Sequence, residues 1–149
     1  MIRLPVSTPF RGFACALPLV VMLTSPGVAH DASPGINLES LPLLTEIAPD
    51  AVAISPHVPQ MGVHYAHPAD LPTGPVWCVI EGRVVCVEYM FTAADLTAGR
   101  DWAGLPTGGV MAPITHIDME YMADGVGPFA EPLYQLHVWF AARSLLDEH

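Results

Sequence analysis

The sequence predicts an α+β domain that is mostly β: an antiparallel sheet of four or more strands, one or two short helices and a proline-rich N-terminal segment. Three observations favour this fold. Two β-rich runs flank a glycine turn in residues 76–91, two more strand-like runs occupy 114–122 and 133–140, and residues 93–98 have the start and stop signals of a short helix. Strands joined by turns and one short helix form a mostly antiparallel sheet.

The first 29 residues have the three parts of a secretory signal peptide. Two arginines make the N-terminal region positive, a short apolar run follows, and small residues precede a cut before His30. The apolar run is too short to span a bilayer, which makes an uncleaved anchor the weaker alternative. We therefore expect residues 30–149 to be a single secreted or periplasmic β-rich domain, with no stable membrane insertion after signal cleavage.

Residues 30–75 contain eight prolines. Proline fixes its own φ and pushes the preceding residue towards extended conformations. The segment is nevertheless too apolar to be disordered. It predicts extended or looped chain wrapped on the domain, with one short helix near residues 38–47.

The clearest local pattern is the hairpin at residues 76–91. A three-residue loop at 81–83 has glycine where a positive φ is needed. Cys78 and Cys86 are equidistant from Gly82, so they face each other across the hairpin, close enough for a disulfide. A third cysteine lies inside the predicted signal peptide, which leaves these two as an even pair in an oxidising compartment. We expect a structural disulfide.

The rest of the chain is predicted as follows. Thr92 N-caps the helix at 93–98, residues 100–113 form a loop, and residues 141–148 close the chain with a short helix. The run at 114–122 alternates strictly. One face of that strand carries His116, Asp118 and Glu120, and the other carries Ile117, Met119 and Tyr121.

The predicted mature chain is strongly acidic. It has three arginines against fifteen acidic residues, a formal charge of −12 with histidine neutral. Such a surface repels nucleic acid and anionic lipid, so we expect no nucleic-acid partner. It would tolerate or attract cations, although a highly charged surface also serves solubility alone.

Clustered histidines indicate a metal site. The predicted ligands are His64, His67, His116, His137 and Glu120. Further candidates are His57, Glu88 and Asp118. Histidine with methionine outside the cytoplasm suits copper, and histidine with carboxylate suits zinc. The methionines concerned are Met61, Met90, Met111, Met119 and Met122.

Each of these features also has a structural interpretation. No histidine spacing matches a zincin, a zinc-finger or a cupin motif. A histidine among aromatic residues is often part of the core, and methionines often fill cores. The polar face of the 114–122 strand is also typical of a solvated sheet surface. No nucleophile elbow, phosphate loop or dinucleotide fingerprint is present, so the catalytic residues of any enzyme stay undetermined.

Four short motifs together resemble an uncharacterised family of small secreted bacterial proteins, known only as a domain of unknown function. The motifs are M-G-V-H-Y at 61–65, V-E-Y-M at 87–90, H-I-D-M-E at 116–120 and L-Y-Q-L-H-V-W-F at 133–140. The resemblance covers about residues 57–141. It implies a compact, secreted β-rich domain that can form homo-oligomers. It does not indicate an activity, because none is established for the family. It places His64, His116, Glu120 and His137 within the family's motifs, whereas the cysteine pair departs from the family.

The sequence thus favours a secreted or periplasmic binding protein whose ligand is a metal ion, copper or zinc. One alternative is a structural domain of the cell envelope that assembles as a homo-oligomer without metal. Another is a small metal-dependent enzyme, with Glu120 or Asp118 as base beside a metal-bound water. A third is a pocket for a small ligand, lined by methionines and aromatic residues.

Overall fold

The computed structural model describes residues 36–149. The predicted signal peptide and its cleavage site lie outside these residues. Six antiparallel strands form one sheet in the order β1-β2-β3-β4-β6-β5. The strands are β1 (Val52–Val58), β2 (Gly62–Ala66), β3 (Val76–Ile80), β4 (Arg83–Thr92), β5 (His116–Met122) and β6 (Leu133–Trp139). The short helices are α1 (Leu44–Ile47), α2 (Ala93–Thr97) and α3 (Arg143–Leu146). The predicted α+β, mostly β fold is confirmed.

The predicted hairpin is present as β3 and β4, with one correction to its turn. The loop has two residues, Glu81 and Gly82, both at positive φ (48° and 78°), instead of the predicted three. Two positive φ values match the twist of the flanking strands. The additional residue enters a bulge next to Cys78, so Cys78 still lies opposite Cys86, with a Cα–Cα distance of 5.0 Å and a disulfide between them.

The N-terminal segment is more regular than the proline count predicted. Of the predicted extended or looped chain, residues 52–66 are mainly extended and form the antiparallel hairpin of β1 and β2, a strand pairing that the sequence did not predict. Proline is tolerated in β1 because this strand lies at the sheet edge, where Pro56 interrupts fewer ladder hydrogen bonds. The helix predicted near 38–47 is divided into a 3-10 turn at Leu38–Ser40 and α1.

The other elements agree with the sequence. Thr92 caps α2, its hydroxyl oxygen accepting the Asp95 backbone N–H at 3.0 Å. Strands β5 and β6 pair along their full length, from His116 opposite Trp139 to Met122 opposite Leu133. Within residues 36–149, no helix is long and apolar enough to cross a membrane.

The two faces of the sheet differ in what covers them. We call the first the core face: it carries Trp77, Val87 and Tyr89, which pack with α1 and the 100–113 loop. We call the opposite face the site face, and it carries His64, Glu88 and His137. Three apolar side chains of β5 project on the side of the core face but stay exposed. They are Ile117, Met119 and Tyr121, with exposed fractions of 57%, 55% and 55%.

Candidate metal centre

Three side chains from three strands meet near the middle of the site face. Glu88 in β4 lies directly opposite His137 in β6. His64 in β2 lies opposite Cys78 in β3, two residues along β3 from Val76, the partner of Glu88. Residues opposite each other in an antiparallel ladder project from the same face, so strand pairing alone directs these side chains towards one point.

A single carboxylate oxygen is the centre of this group, which we call the buried cluster: His64, Glu88 and His137. Glu88 Oε2 lies 3.6 Å from His64 Nε2 and 3.7 Å from His137 Nε2. All three residues are buried: His64 is 8% exposed, and Glu88 and His137 are each 2% exposed. Donors about 2.0–2.2 Å from a tetrahedral zinc ion lie about 3.4 Å from each other, and the two distances to Glu88 are close to this value. His137 does not belong to the group whose ligand atoms all lie within 4.8 Å of one another, so a shared ion would require one of the two histidine rings to move.

The Ser55 hydroxyl lies beside Nδ1 of His64 and orients the ring. The Ser55 hydroxyl donates its single proton to the Pro56 carbonyl oxygen at 2.7 Å. In this arrangement the hydroxyl oxygen accepts from His64 Nδ1, which lies 3.0 Å away. In the neutral ring, His64 Nε2 then has no proton and turns a lone pair towards the Glu88 carboxylate.

A neighbouring side chain also holds Glu88, whereas no hydrogen bond within residues 36–149 holds the ring of His137. Gln135 Nε2 donates to Glu88 Oε1 at 2.5 Å, which leaves Oε2 facing the histidines. Among the described residues, neither ring nitrogen of His137 has a hydrogen-bond partner, although both are buried. An unsatisfied buried polar group costs about 1–3 kcal/mol, and such a cost in a native fold calls for an explanation. A metal ion bound at His137 Nε2 would satisfy that nitrogen, and Nδ1 would still have no partner among the described residues.

No fixed cation within residues 36–149 neutralises the Glu88 carboxylate. The sequence has no lysine, and the three arginines of this part of the chain are engaged elsewhere. Arg83 donates to the Leu41 carbonyl, Arg100 pairs with Asp95, and Arg143 pairs with Asp118. Buried charges are normally paired or bound to a metal ion.

The electrostatics keep His64 suited to coordination. Burial lowers the pKa of His64 below its ordinary value of 6.5, the nearby Glu88 opposes this shift, and His137 adds to it. The imidazole therefore stays neutral at neutral pH, and neutral imidazole is the form that binds metal ions.

Cys78 adjoins the same cluster. Ligand atoms of His64, Cys78 and Glu88 all lie within 4.8 Å of one another, so this buried His/Cys/Glu group could hold a metal ion. The Cys78 sulfur is, however, bonded to Cys86. Because the thiolate is the metal-binding form of cysteine, His64, Glu88 and His137 are the candidate ligands of the oxidised chain.

A pocket of about 350 Å³ opens over the buried cluster. Its other walls include Ile54, Val58, Met61, Met90, Met122 and Phe129, with Glu120 also in the lining. A larger groove of about 550 Å³ beside α1 contains none of the three cluster residues. The polar atoms of the cluster thus lie at a recess with mainly apolar walls, the usual form of a ligand site.

The sequence-predicted residues are distributed unevenly. His64 and His137 meet at Glu88, and Glu120 lines the pocket above them. His67 instead contacts Trp77 edge-on, with ring centroids 5.3 Å apart, and Trp77 belongs to the core face. His116 stacks on Trp139 at 5.4 Å, and its Nε2 lies 3.7 Å from Asp118 Oδ2.

Some residues of the buried cluster carried little sequence signal. The sequence offers Glu88 only as a further candidate, although an acidic residue in the apolar middle of β4 is unusual and is the available signal. Ser55 and Gln135 were not singled out, because their role follows from strand pairing that no local pattern shows.

A second group of charged side chains, which we call the surface cluster, consists of His116, Asp118 and Arg143.

The comparisons with known proteins place the fold without naming a function. No protein-family model matches the sequence, and no curated protein matches it. Among solved structures, the chain is similar to hypothetical protein TTHB210 from Thermus thermophilus, with a TM-score of 0.55 and 23% identity over 65% of this chain and 93% of that chain. At this identity the likeness shows the fold alone. It is consistent with an uncharacterised family, and the motif resemblance stays a prediction.

Proposed function

We propose that this protein is a secreted or periplasmic metal-binding protein that holds one zinc or copper ion per chain through His64 Nε2, Glu88 Oε2 and His137 Nε2. The observation that carries the proposal is the buried Glu88 oxygen with an imidazole nitrogen on either side and, within residues 36–149, no arginine to neutralise it. A divalent cation at this point would balance the charge and satisfy all three atoms at once.

The hydrogen bonds around the cluster support the same conclusion. Metal-binding histidines and carboxylates are usually held by a second hydrogen bond on their far side. Ser55 holds His64 through Nδ1, and Gln135 holds Glu88 through Oε1. Both contacts leave the inward-facing atom free.

The ligand set leaves zinc and copper open. Two histidines and one glutamate form a typical zinc set, with a fourth position for water. Met61 and Met90 line the adjoining pocket, and thioether ligands favour copper. A water on the open position would support the alternative of a small metal-dependent enzyme, with Glu120 of the pocket lining as base.

The test is a metal titration of the untagged mature protein, measured by calorimetry. Elemental analysis of the loaded protein then gives the number of metal ions per chain. We expect one zinc or copper ion per chain. Glu88→Gln and His137→Gln should abolish binding, whereas His116→Gln, a matched histidine of the surface cluster, should retain it. Absence of binding in the wild-type chain, or an equal loss in His116→Gln, would contradict the proposal. Circular dichroism of each variant separates lost ligands from lost fold.

The pocket supports a second candidate, a small apolar ligand. Its volume of about 350 Å³ and its methionine-rich walls suit a small organic molecule. An apolar ligand that stabilises the metal-free chain, and no longer does so in Met122→Glu, would favour this function. Equal stabilisation of both chains would count against it.

Exposed apolar side chains on β5 support a third candidate, assembly as a homo-oligomer. Ile117, Met119 and Tyr121 lie on an edge strand, and such patches often mark interfaces. Light scattering of the metal-free protein tests this function: a stable oligomer that Met119→Lys dissociates would favour it, and a monomer would contradict it.

A further inference from the structure

We propose that Cys78 is a fourth ligand of the same metal ion, available only when the Cys78–Cys86 disulfide is reduced. The affinity of the site for metal would then depend on the redox state of the hairpin beneath it. The inference rests on the metal site proposed above.

The position of Cys78 carries the argument. Cys78 in β3 lies directly between His64 in β2 and Cys86 in β4. It is fully buried, and its sulfur lies within 4.8 Å of ligand atoms of both His64 and Glu88. Cys86 lies opposite Trp139 on its other side and does not belong to that group within residues 36–149. One sulfur of the disulfide adjoins the site, and the other does not.

Reduction changes what this sulfur can do. A dithiol reductant breaks the S–S bond by thiol–disulfide exchange: it gives two electrons and two protons to the cysteines and ends as its own disulfide. Two thiols result. On coordination the Cys78 thiol releases its proton to the buffer and binds as a thiolate. The ligand set then changes from two nitrogens and an oxygen to two nitrogens, an oxygen and a sulfur, which closes a tetrahedral site.

The coupling must work in both directions. If metal binds the reduced chain more tightly, it stabilises the reduced chain and makes the reduction potential of the disulfide less negative. For this two-electron couple, a tenfold difference in affinity corresponds to about 30 mV. The disulfide would thus control the metal, and the metal would make the disulfide easier to reduce.

Two single-cysteine variants form a matched pair for the test. Cys86→Ser keeps the thiol at position 78, and Cys78→Ser keeps the thiol at position 86, while both lose the disulfide. Zinc affinity is measured anaerobically by competition with a chromophoric chelator, and cobalt(II) reports thiolate ligation through its charge-transfer absorption. We expect Cys86→Ser to bind zinc about tenfold or more tightly than Cys78→Ser, since even outer partners of a metal contribute about that factor. The cobalt–thiolate absorption should occur in Cys86→Ser and in reduced wild type only.

The possible results separate this inference from the proposed function. Equal zinc affinities of the two variants, with no cobalt–thiolate absorption in either, would overturn the role of Cys78 while leaving zinc binding by the oxidised wild type as support for the three-ligand site. Loss of zinc binding in oxidised wild type would contradict the proposed function instead. If a variant does not fold, oxidised and reduced wild type are compared directly, and equal affinities overturn the inference.

Discussion

Two groups of histidine and carboxylate lie on the site face, and they differ in how the negative charge is balanced. In the surface cluster, Asp118 accepts two hydrogen bonds from Arg143, at 2.8 and 3.0 Å, and lies 3.7 Å from His116. In the buried cluster, Glu88 is 2% exposed and faces two histidines, with no arginine of the described chain beside it.

The comparison shows that residue type alone does not make a metal site. At the edge strand β5, solvent and an arginine neutralise the carboxylate. Glu88 in β4 is inside the sheet, where neither solvent nor an arginine of the described chain contacts it. A buried carboxylate in such a place requires a bound cation or a proton. Burial therefore distinguishes a candidate metal site from an ordinary surface ion pair.

The largest expected effect is stabilisation by metal. At a free metal concentration about one hundred times the Kd, the free energy of unfolding of the wild-type chain should rise by about 2.7 kcal/mol. His137→Gln should show no rise, and His116→Gln should keep the full rise, because only His137 belongs to the buried cluster. Urea denaturation with and without metal measures both. If metal no longer raised the free energy of unfolding of His116→Gln, the surface cluster would contribute to metal binding, which contradicts the account.

Neutralising Glu88 and neutralising Asp118 should change the free energy of unfolding of the metal-free chain in opposite directions. Glu88→Gln removes a buried charge without a fixed cation and should raise the free energy of unfolding by about 1–3 kcal/mol. Asp118→Asn breaks a surface ion pair and should lower it by up to about 1 kcal/mol. Denaturation in the presence of a chelator measures both changes. Changes of the same sign would show that the two carboxylates are balanced alike.

Acid should destabilise the metal-free chain through His64. Because burial lowers its pKa in the folded state, the unfolded chain takes up a proton near pH 6.5 while the folded chain does not. The free energy of unfolding should therefore fall as the pH drops below 6.5, until the lowered pKa is reached. The pKa of His116 is also lowered, mainly by burial and further by Arg143, so His64→Gln should flatten this dependence only in part. An unchanged pH profile in His64→Gln would contradict the burial argument.

The smallest effect is expected at Arg143, which is exposed on the surface. Arg143→Ala should cost about 0.2–1 kcal/mol of stability, and the cost should shrink in high salt. Metal affinity should not change. A clear change in metal affinity would connect the surface cluster to the site.

Local patterns predicted most of the fold. The β3–β4 hairpin, the cysteine pairing, α2 and the two C-terminal strands follow from alternation, turn residues and caps that act within a few positions. The pairing of β1 with β2 was not predicted, because proline density favoured unpaired extended or looped chain. The sequence does not reveal that β1 is an edge strand, where Pro56 is tolerated.

The site was predicted less completely because it depends on pairing between distant strands. His64 and His137 were both named, yet nothing local joins them to Glu88. His67 was equally eligible by residue type, but it follows the end of β2 and contacts Trp77 of the core face. Only the register of β2, β3, β4 and β6 distinguishes these histidines.

The most direct test of the metal site is an anomalous diffraction map of crystals soaked with zinc. The account predicts one strong peak per chain, within bonding distance of His64 Nε2, Glu88 Oε2 and His137 Nε2. A peak only at His116 and Asp118, or none at Glu88 under conditions that load other zinc sites, would contradict the central claim.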